Sequence, residues 1–167
     1  STNALAANTK LLVDRGVDRF QIWIDRARER GISPWFTQRM NDIHFIGQKQ
    51  TCYTSSFWLK HPEYRRVPGF DRDGGYPWEP PSLDYQHQAV RDRALALARE
   101  LLERWDVDGF ECDWQRFPHQ LSPEIEKCGD GARYLTAHMR EMRKLVDEMS
   151  RKRGRKILLG VRVAPRI

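Results

Sequence analysis

Two carboxylates set two residues apart, Glu111 and Asp113, are the strongest candidates for chemistry in this sequence. The residues around them, 108–114 (DGFECDW), predict a β-strand, in which side chains alternate between two faces. The face that carries both acids also carries Gly109 and Gln115. The opposite face is apolar and suited to lie under helices: Phe110, Cys112 and Trp114. Acids near the C-terminal end of a strand are typical acid/base or nucleophilic groups, so both are catalytic candidates.

Arg162 is the expected neighbour of these acids. Residues 156–164 (KILLGVRVA) predict another strand, in which Arg162 shares a face with Leu158 and Gly160. If the two strands are adjacent, Arg162 lies beside Glu111 or Asp113. It would then form a structural ion pair, or it would hold a catalytic carboxylate in its ionised form. Both interpretations stay open, and Asp113 is the first catalytic candidate because it lies nearer the strand end.

Further polar side chains follow the other predicted strands and are candidates to bind a substrate. Residues 33–41 predict a strand that runs into RMNDIH, and residues 83–85 predict a short strand. Carboxylate, amide and guanidinium groups are the hydrogen-bonding partners that sugar hydroxyls need. With Arg162, the substrate-binding candidates at these strand ends are Arg39, Asn41, Asp42, His44, Asp84 and Tyr85. No third ligand stands at a telling distance from Asp42 and His44, so no metal site is predicted.

The segment 42–81 is rich in Gly, Pro and aromatic residues and reads as one long loop with a short helix around 57–65. Long loops in compact domains are usually functional or disordered. The aromatic residues of this loop favour an ordered loop that covers another part of the molecule. Trp58, Trp78 and Trp114 have apolar faces on which a sugar ring can stack. For Trp58 and Trp78, packing within the loop is the equal alternative, whereas Trp114 joins the substrate-binding candidates.

The elements that position these residues alternate between helix and strand. Apolar stripes at helical spacing predict helices over 17–30, 88–105 and 131–151, with Gly31 and Gly154 ending the first and the last. Helices and parallel strands in alternation are typical of βα units. Up to four strands are predicted, whereas a complete (β/α)₈ barrel has about 250 residues. We therefore expect one domain, 1–167, that forms roughly the first half of such a barrel, the remainder being absent from this chain. A small independent α/β domain is the main alternative.

Composition argues against several other classes of protein. No apolar run approaches the roughly 20 residues of a membrane span, and the N-terminus lacks signal-peptide features, so no membrane partner is expected. A signal upstream stays open, and the compartment is undecided. The net charge of +6 invites a nucleic-acid interpretation. Basic residues are mixed with acids, however, and the dense run 151–156 falls where a helix should end, so we expect a solvated face and no nucleic-acid partner.

The cysteines and the short motifs add little chemistry. Cys52, Cys112 and Cys128 show neither metal-ligand nor disulfide spacing and are expected to be buried free thiols. The sequence has no phosphate-binding, dinucleotide-binding or serine-hydrolase motif, and no cofactor is expected.

Four stretches of the sequence resemble the glycoside-hydrolase-like barrel proteins, a family-10-like group of glycosyl hydrolases. In family order they are RGISPWFTQRMNDIH, FWLKHPEYR, LDYQHQAVRDRALALARELLERWDVDGFECDWQRFP and KILLGVRVAP, and they span most of residues 10–165. The resemblance implies a (β/α)₈ barrel whose fourth strand is DGFECDW, and a carbohydrate substrate. Arg116, in the RFP that ends the third stretch, joins the substrate-binding candidates.

The same strand is also similar to the DGxDxDxE motif of chitinase-like barrels, whose final Glu is the proton donor. Glu111 and Asp113 match the two inner acids, but Gln115 stands in place of the donor. An amide supplies no proton at neutral pH, which puts chitinase chemistry in doubt. Two hypotheses follow: hydrolysis of a poly- or oligosaccharide by strand-end carboxylates, or carbohydrate binding without cleavage.

Overall fold

The computed structural model describes residues 2–42, 54–67, 82–115 and 119–164. In chain order the elements are α1 (Thr2–Asp14), α2 (Arg19–Glu29), β1 (Trp35–Arg39), α3 (Ser56–Lys60), a 3₁₀ turn (Pro62–Tyr64), α4 (Gln88–Arg104), β2 (Gly109–Asp113), α5 (Pro123–Cys128), α6 (Ala132–Arg153) and β3 (Leu158–Arg162). None of the described helices is long and apolar enough to cross a membrane.

The three strands form one parallel sheet in the order β1-β2-β3, with β2 in the centre. The register aligns three rows of residues across the sheet. Trp35, Gly109 and Leu158 form the first row, and Thr37, Glu111 and Gly160 form the second. The third row, at the C-terminal ends of the strands, is Arg39, Asp113 and Arg162. All three rows lie on the same face, because side chains of a strand alternate.

The other face of the sheet packs against helices and forms the core. Phe110 and Cys112 of β2 are fully buried there. The helices bury stripes at helical spacing, such as Val90, Ala94, Ala98 and Leu102 in α4 and Met142, Leu145, Val146 and Met149 in α6. Removing such apolar side chains from water stabilises the fold by about 25 cal/mol for each Å² buried. The sequence prediction that Phe110, Cys112 and Trp114 lie under helices is confirmed.

The helix ends predicted at Gly31 and Gly154 are confirmed, whereas the helix predicted from residue 17 begins at Arg19. The Asp18 carboxylate accepts hydrogen bonds from the backbone N–H groups of Phe20 and Gln21 and so caps α2. Beyond the other end of α2, Gly31 has a φ of +69°, and Gly154 at the end of α6 has a φ of +65°. That left-handed conformation favours glycine, and it ends a helix.

The prediction of a (β/α)₈ barrel, in whole or as its first half, is wrong. The structure is a mixed helix and strand fold with a small parallel sheet, in which β1 and β3 each pair on one side only among the described residues. The predicted strand at 83–85 does not join this sheet; among the described residues, Leu83 forms a single antiparallel bridge, with Arg65. The alternation of helix and strand is common to barrels and open sheets, so it could not decide between them.

Three smaller differences also concern the elements and the thiols. Helices α1 and α5 were not predicted from the sequence. Cys112 is a buried free thiol as expected, but Cys128 is exposed, and Cys52 lies outside the described residues. Burial raises the pKa of the Cys112 thiol to about 12, with a smaller contribution from Glu111. A thiol with that pKa is not a nucleophile at neutral pH.

Candidate binding site on the open face of the sheet

The open face is the side of the sheet formed by nine residues, three from each strand: Trp35, Thr37, Arg39, Gly109, Glu111, Asp113, Leu158, Gly160 and Arg162. Its upper part, towards the C-terminal ends of the strands, is charged, and its lower part is apolar. Trp35 and Leu158 in the lower part are 40% and 43% exposed. Open faces that combine an aromatic surface with charged hydrogen-bonding groups are suited to bind amphipathic ligands.

Arg162 joins the two acids of β2, as the adjacency of the strands predicts. Its Nη2 lies 2.9 Å from Oε1 of Glu111, and its Nη1 lies 3.5 Å from Oδ2 of Asp113. Thr37 Oγ1 donates to the same Oε1 of Glu111 over 3.3 Å, and the backbone N–H of Gln115 donates to Oδ1 of Asp113. The side chain of Asp113 is only 6% exposed, whereas Glu111 and Arg162 remain more accessible.

Trp35 lies over the lower part of the open face with its indole flat against the backbone. A Cβ atom built on Gly109 would stand 2.2 Å from Cδ2 of Trp35 and 2.3 Å from Cε2. These are the two atoms shared by both indole rings, so an approach this close can come only from above or below the ring plane. The indole also reaches β3, since a Cβ on Gly160 would stand 3.1 Å from its Cζ3. Glycine at both positions therefore leaves room for the ring.

Trp35 was not among the sequence candidates, although the signal for it was present. Alternation places it on the face of Thr37 and Arg39, and glycines occur in the predicted strands at 108–114 and 156–164. Only the register shows that Gly109 lies directly beside Trp35, and the register cannot be read from one strand alone. A glycine paired with a tryptophan on the adjacent strand would have identified Trp35 as a ring that lies flat on the sheet.

Arg39 and Asp42 form a second charged pair at the edge of the open face. Arg39 Nη1 lies 2.9 Å from Oδ2 of Asp42, and the two side chains are 47% and 40% exposed. Arg39 occupies the same row as Asp113 and Arg162. These two predicted substrate-binding residues therefore stand next to the predicted catalytic acids.

Other predicted binding residues are buried and bond within the protein. Asn41 donates to the Leu83 carbonyl and to Oε1 of Gln120, and it accepts from the Leu83 N–H. Asp84 accepts from the backbone N–H groups of Gln86 and Ser122. The hydroxyl of Tyr85 donates to the Met40 carbonyl, and its side chain is 1% exposed. The structure does not bring these side chains to the open face; they hold together the segments that follow the strands.

The remaining candidates divide between the core and the undescribed segments. Trp114 packs edge-to-face on Tyr85 in the core, and Trp58 is buried beneath the guanidinium of Arg65. For Trp58 this matches the packing alternative. His44, Arg116 and Trp78 lie outside the described residues.

The chemistry of the open face is that of hydrogen bonding and stacking. Within the described ranges, no group of three or more His, Cys, Asp or Glu side chains could hold a metal ion. The guanidinium of Arg162 offers donors, the carboxylates offer acceptors, and Trp35 offers an apolar ring face. No protein-family model matches the sequence.

Proposed function

We propose that the open face of the sheet binds a saccharide. The observation that carries the proposal is the position of Trp35, whose indole lies flat beside the Glu111–Arg162–Asp113 cluster. A pyranose ring has one apolar C–H face and a rim of hydroxyl groups. An exposed indole accommodates the first, and carboxylate and guanidinium groups accommodate the second. The resemblance of DVDGFECDWQRFP to the glycoside-hydrolase-like proteins supports the same class of ligand.

Binding without cleavage is favoured over hydrolysis by the bonds that the two acids already make. A glycosidase needs one carboxyl group to protonate the leaving oxygen and a second to act as nucleophile or base. Oε1 of Glu111 is engaged by Arg162 and Thr37, and Asp113 is nearly buried beside Arg162 and the Gln115 N–H. Three of the four carboxylate oxygens of this pair therefore already accept bonds within the protein.

The test is a titration of soluble oligosaccharides followed by tryptophan fluorescence and calorimetry. A panel of cello-, xylo- and chito-oligosaccharides and β-1,3-glucans samples different linkages. We expect saturable binding of at least one of them, lost in Trp35→Leu and weakened about tenfold in Glu111→Gln, since a charge-assisted hydrogen bond contributes about 1.5 kcal/mol or more.

Trp23→Leu is the matched control, because Trp23 lies in α2, is 62% exposed and is not part of the open face. It should bind the same saccharide with unchanged affinity. Equal losses in Trp35→Leu and Trp23→Leu, or no binding by the unmodified protein to any member of the panel, would refute the proposal.

Hydrolysis is the second candidate, favoured by the presence of Glu111 and Asp113 on one face of one strand. Release of reducing ends from the same panel would establish it. If that release is abolished in Asp113→Asn or Glu111→Gln, the acids are catalytic, and binding without cleavage is overturned.

A further inference from the structure

A concave region lies on the helix-covered side of the sheet, opposite the open face. It is a cleft with a volume of about 1120 Å³ between α4, α6 and the end of β3. Small-molecule sites typically measure about 300–1,000 Å³, so this cleft is large enough for one. Its apolar lining comes from Leu95, Trp114, Leu135, Met139, Val161 and Val163. Val161 and Val163 are 50% and 63% exposed, so apolar surface is available inside it.

His138 places an unsatisfied polar group in this apolar lining. Its side chain is 1% exposed and packs edge-to-face against Tyr85 and Trp114. In the part of the chain that the structure describes, neither Nδ1 nor Nε2 has a hydrogen-bond partner. Buried polar atoms are nearly always paired in folded proteins, and leaving one unpaired costs about 1–3 kcal/mol. A ligand atom that reaches the ring from the cleft would satisfy this imidazole.

Arg143 and Arg140 add donors and positive charge to the same cleft. Arg143 pairs with Asp147 through Nη2, yet its buried Nε–H is also without a partner among the described residues. Arg140 is exposed at the rim, and within the described ranges no carboxylate lies within ion-pair distance of it. The only acid that lines the described cleft, Glu141, pairs with Lys144. Among the described residues of the cleft, the groups without a partner are therefore mainly N–H donors and cations.

We infer that this cleft binds a small amphipathic carboxylate, with its acid group towards Arg140, Arg143 and His138 and its apolar body against Leu135, Met139 and Val161. A carboxylate accepts several N–H donors at once, and such charge-assisted bonds are stronger than neutral ones. The aliphatic or aromatic body removes the exposed valines from water. This inference is independent of saccharide binding, because the cleft and the open face share no residue.

The probe is sodium decanoate below its micellar concentration, titrated into the full chain by calorimetry. Decylammonium, which has the same chain length and the opposite charge, is the matched ligand control. We expect saturable binding of decanoate and binding of decylammonium that is at least about tenfold weaker. Arg140→Gln should weaken decanoate binding about tenfold. Arg151→Gln, which neutralises another exposed arginine of α6 outside the cleft, should leave it unchanged.

The position of the ligand is tested by the NMR signals of the histidine rings. The signal absent from His138→Phe belongs to His138, and it should shift when decanoate is added, whereas the indole N–H signal of Trp35 should not. Equal affinity of Arg140→Gln and the unmodified protein for decanoate would overturn the inference, as would tight binding of decylammonium. A dimer in sedimentation that Val163→Asp dissociates and decanoate does not would overturn it too, and would assign the cleft to a second copy of this chain.

Discussion

His138 is the residue at which burial and polarity conflict most directly. It lies in α6 with its ring enclosed by aromatic neighbours, and burial lowers its pKa from 6.5 to about 4. Arg91 adds to this decrease, and Asp92 opposes it. The imidazole is therefore neutral in the folded protein at neutral pH. It takes up a proton only when the protein unfolds or when the pH approaches 4.

This shift predicts a loss of stability between neutral pH and pH 4. A histidine whose folded pKa is lowered contributes nothing above 6.5, where both states are neutral. As the pH falls from 6.5 towards 4, the unfolded chain takes up the proton first, and the free energy of unfolding decreases by about 3 kcal/mol in total. Urea denaturation at pH 7, 6, 5 and 4 measures this decrease.

The comparison with His138→Phe isolates the histidine from the carboxylates that also titrate. Phenylalanine keeps an aromatic ring between Tyr85 and Trp114 but has no proton to gain. The difference in stability between the two proteins should change across the window from 6.5 to 4 and be constant above it. A difference that does not vary with pH would show that His138 keeps its ordinary pKa.

At the scale of elements, β2 is the strand on which both faces of the sheet depend. Its apolar residues anchor the helices, and its Gly109 lies under the indole of Trp35. A methyl group at Gly109 would meet three ring atoms of Trp35 at 2.2 to 2.5 Å, which real contacts do not reach. The ring must then leave its place on the open face, or β1 must move away from β2.

Gly109→Ala should therefore destabilise the protein by about 1–3 kcal/mol, the usual cost of overpacking, and should change the tryptophan emission. Gly160→Ala is the matched control, because its Cβ would meet the same indole at 3.1 Å, where a small shift is enough. The loss in Gly160→Ala should be clearly smaller. Equal effects of the two substitutions, measured by urea denaturation, would mean that Trp35 does not rest on Gly109.

Most individual elements could be predicted from the sequence because their signals are local. The stripes of α2, α4 and α6, the alternation of β2 and the ends at Gly31 and Gly154 all depend on neighbouring residues. The face shared by Glu111, Asp113 and Arg162 followed from alternation in two strands. Two features did not follow from the sequence, because they depend on register and on contacts between distant segments. They are the flat position of the Trp35 indole and the burial of Asn41, Asp84 and Tyr85.

At the scale of the whole molecule, the same limitation explains the incorrect barrel. Alternating elements specify parallel neighbours, but closure depends on how many strands join the sheet and how they tilt. The composition of residues 83–85 is that of a strand end. Their position, however, is fixed by the bridge from Leu83 to Arg65 and by the hydrogen bond from the Leu83 N–H to the side chain of Asn41. In the ranges that the structure describes, the sheet consequently has two edges, and the acids of β2 lie on its open face instead of inside a barrel.

The end of the sheet where the strands begin is held by a cluster of ions from three distant segments. Asp106, just before β2, is contacted by Arg28 of α2 at 3.1 Å, by Arg153 of α6 at 3.3 Å and by Arg155. Burial raises the pKa of Asp106, but hydrogen bonds and charge from Arg155 and Arg28 outweigh it, so that the pKa lies below 3.8. Together with Asp108, which also pairs with Arg28 and Arg155, this carboxylate reduces the repulsion among the three arginines.

Asp106→Asn should reduce the free energy of unfolding by about 1 kcal/mol at low salt, because three guanidinium groups then lose their common counterion. The sign with pH follows from the lowered pKa: the contribution is complete above 3.8 and is lost only as the pH falls below it. This window lies below that of His138.

At 1 M salt the Debye length is about 3 Å. The destabilisation by Asp106→Asn, measured by urea denaturation, should therefore be smaller at 1 M salt than at low salt. Asp14→Asn, which removes only the exposed pair with Lys10, should have no measurable effect at either salt concentration. A loss in Asp106→Asn that persists undiminished at high salt would assign the role of this residue to hydrogen bonding instead of charge.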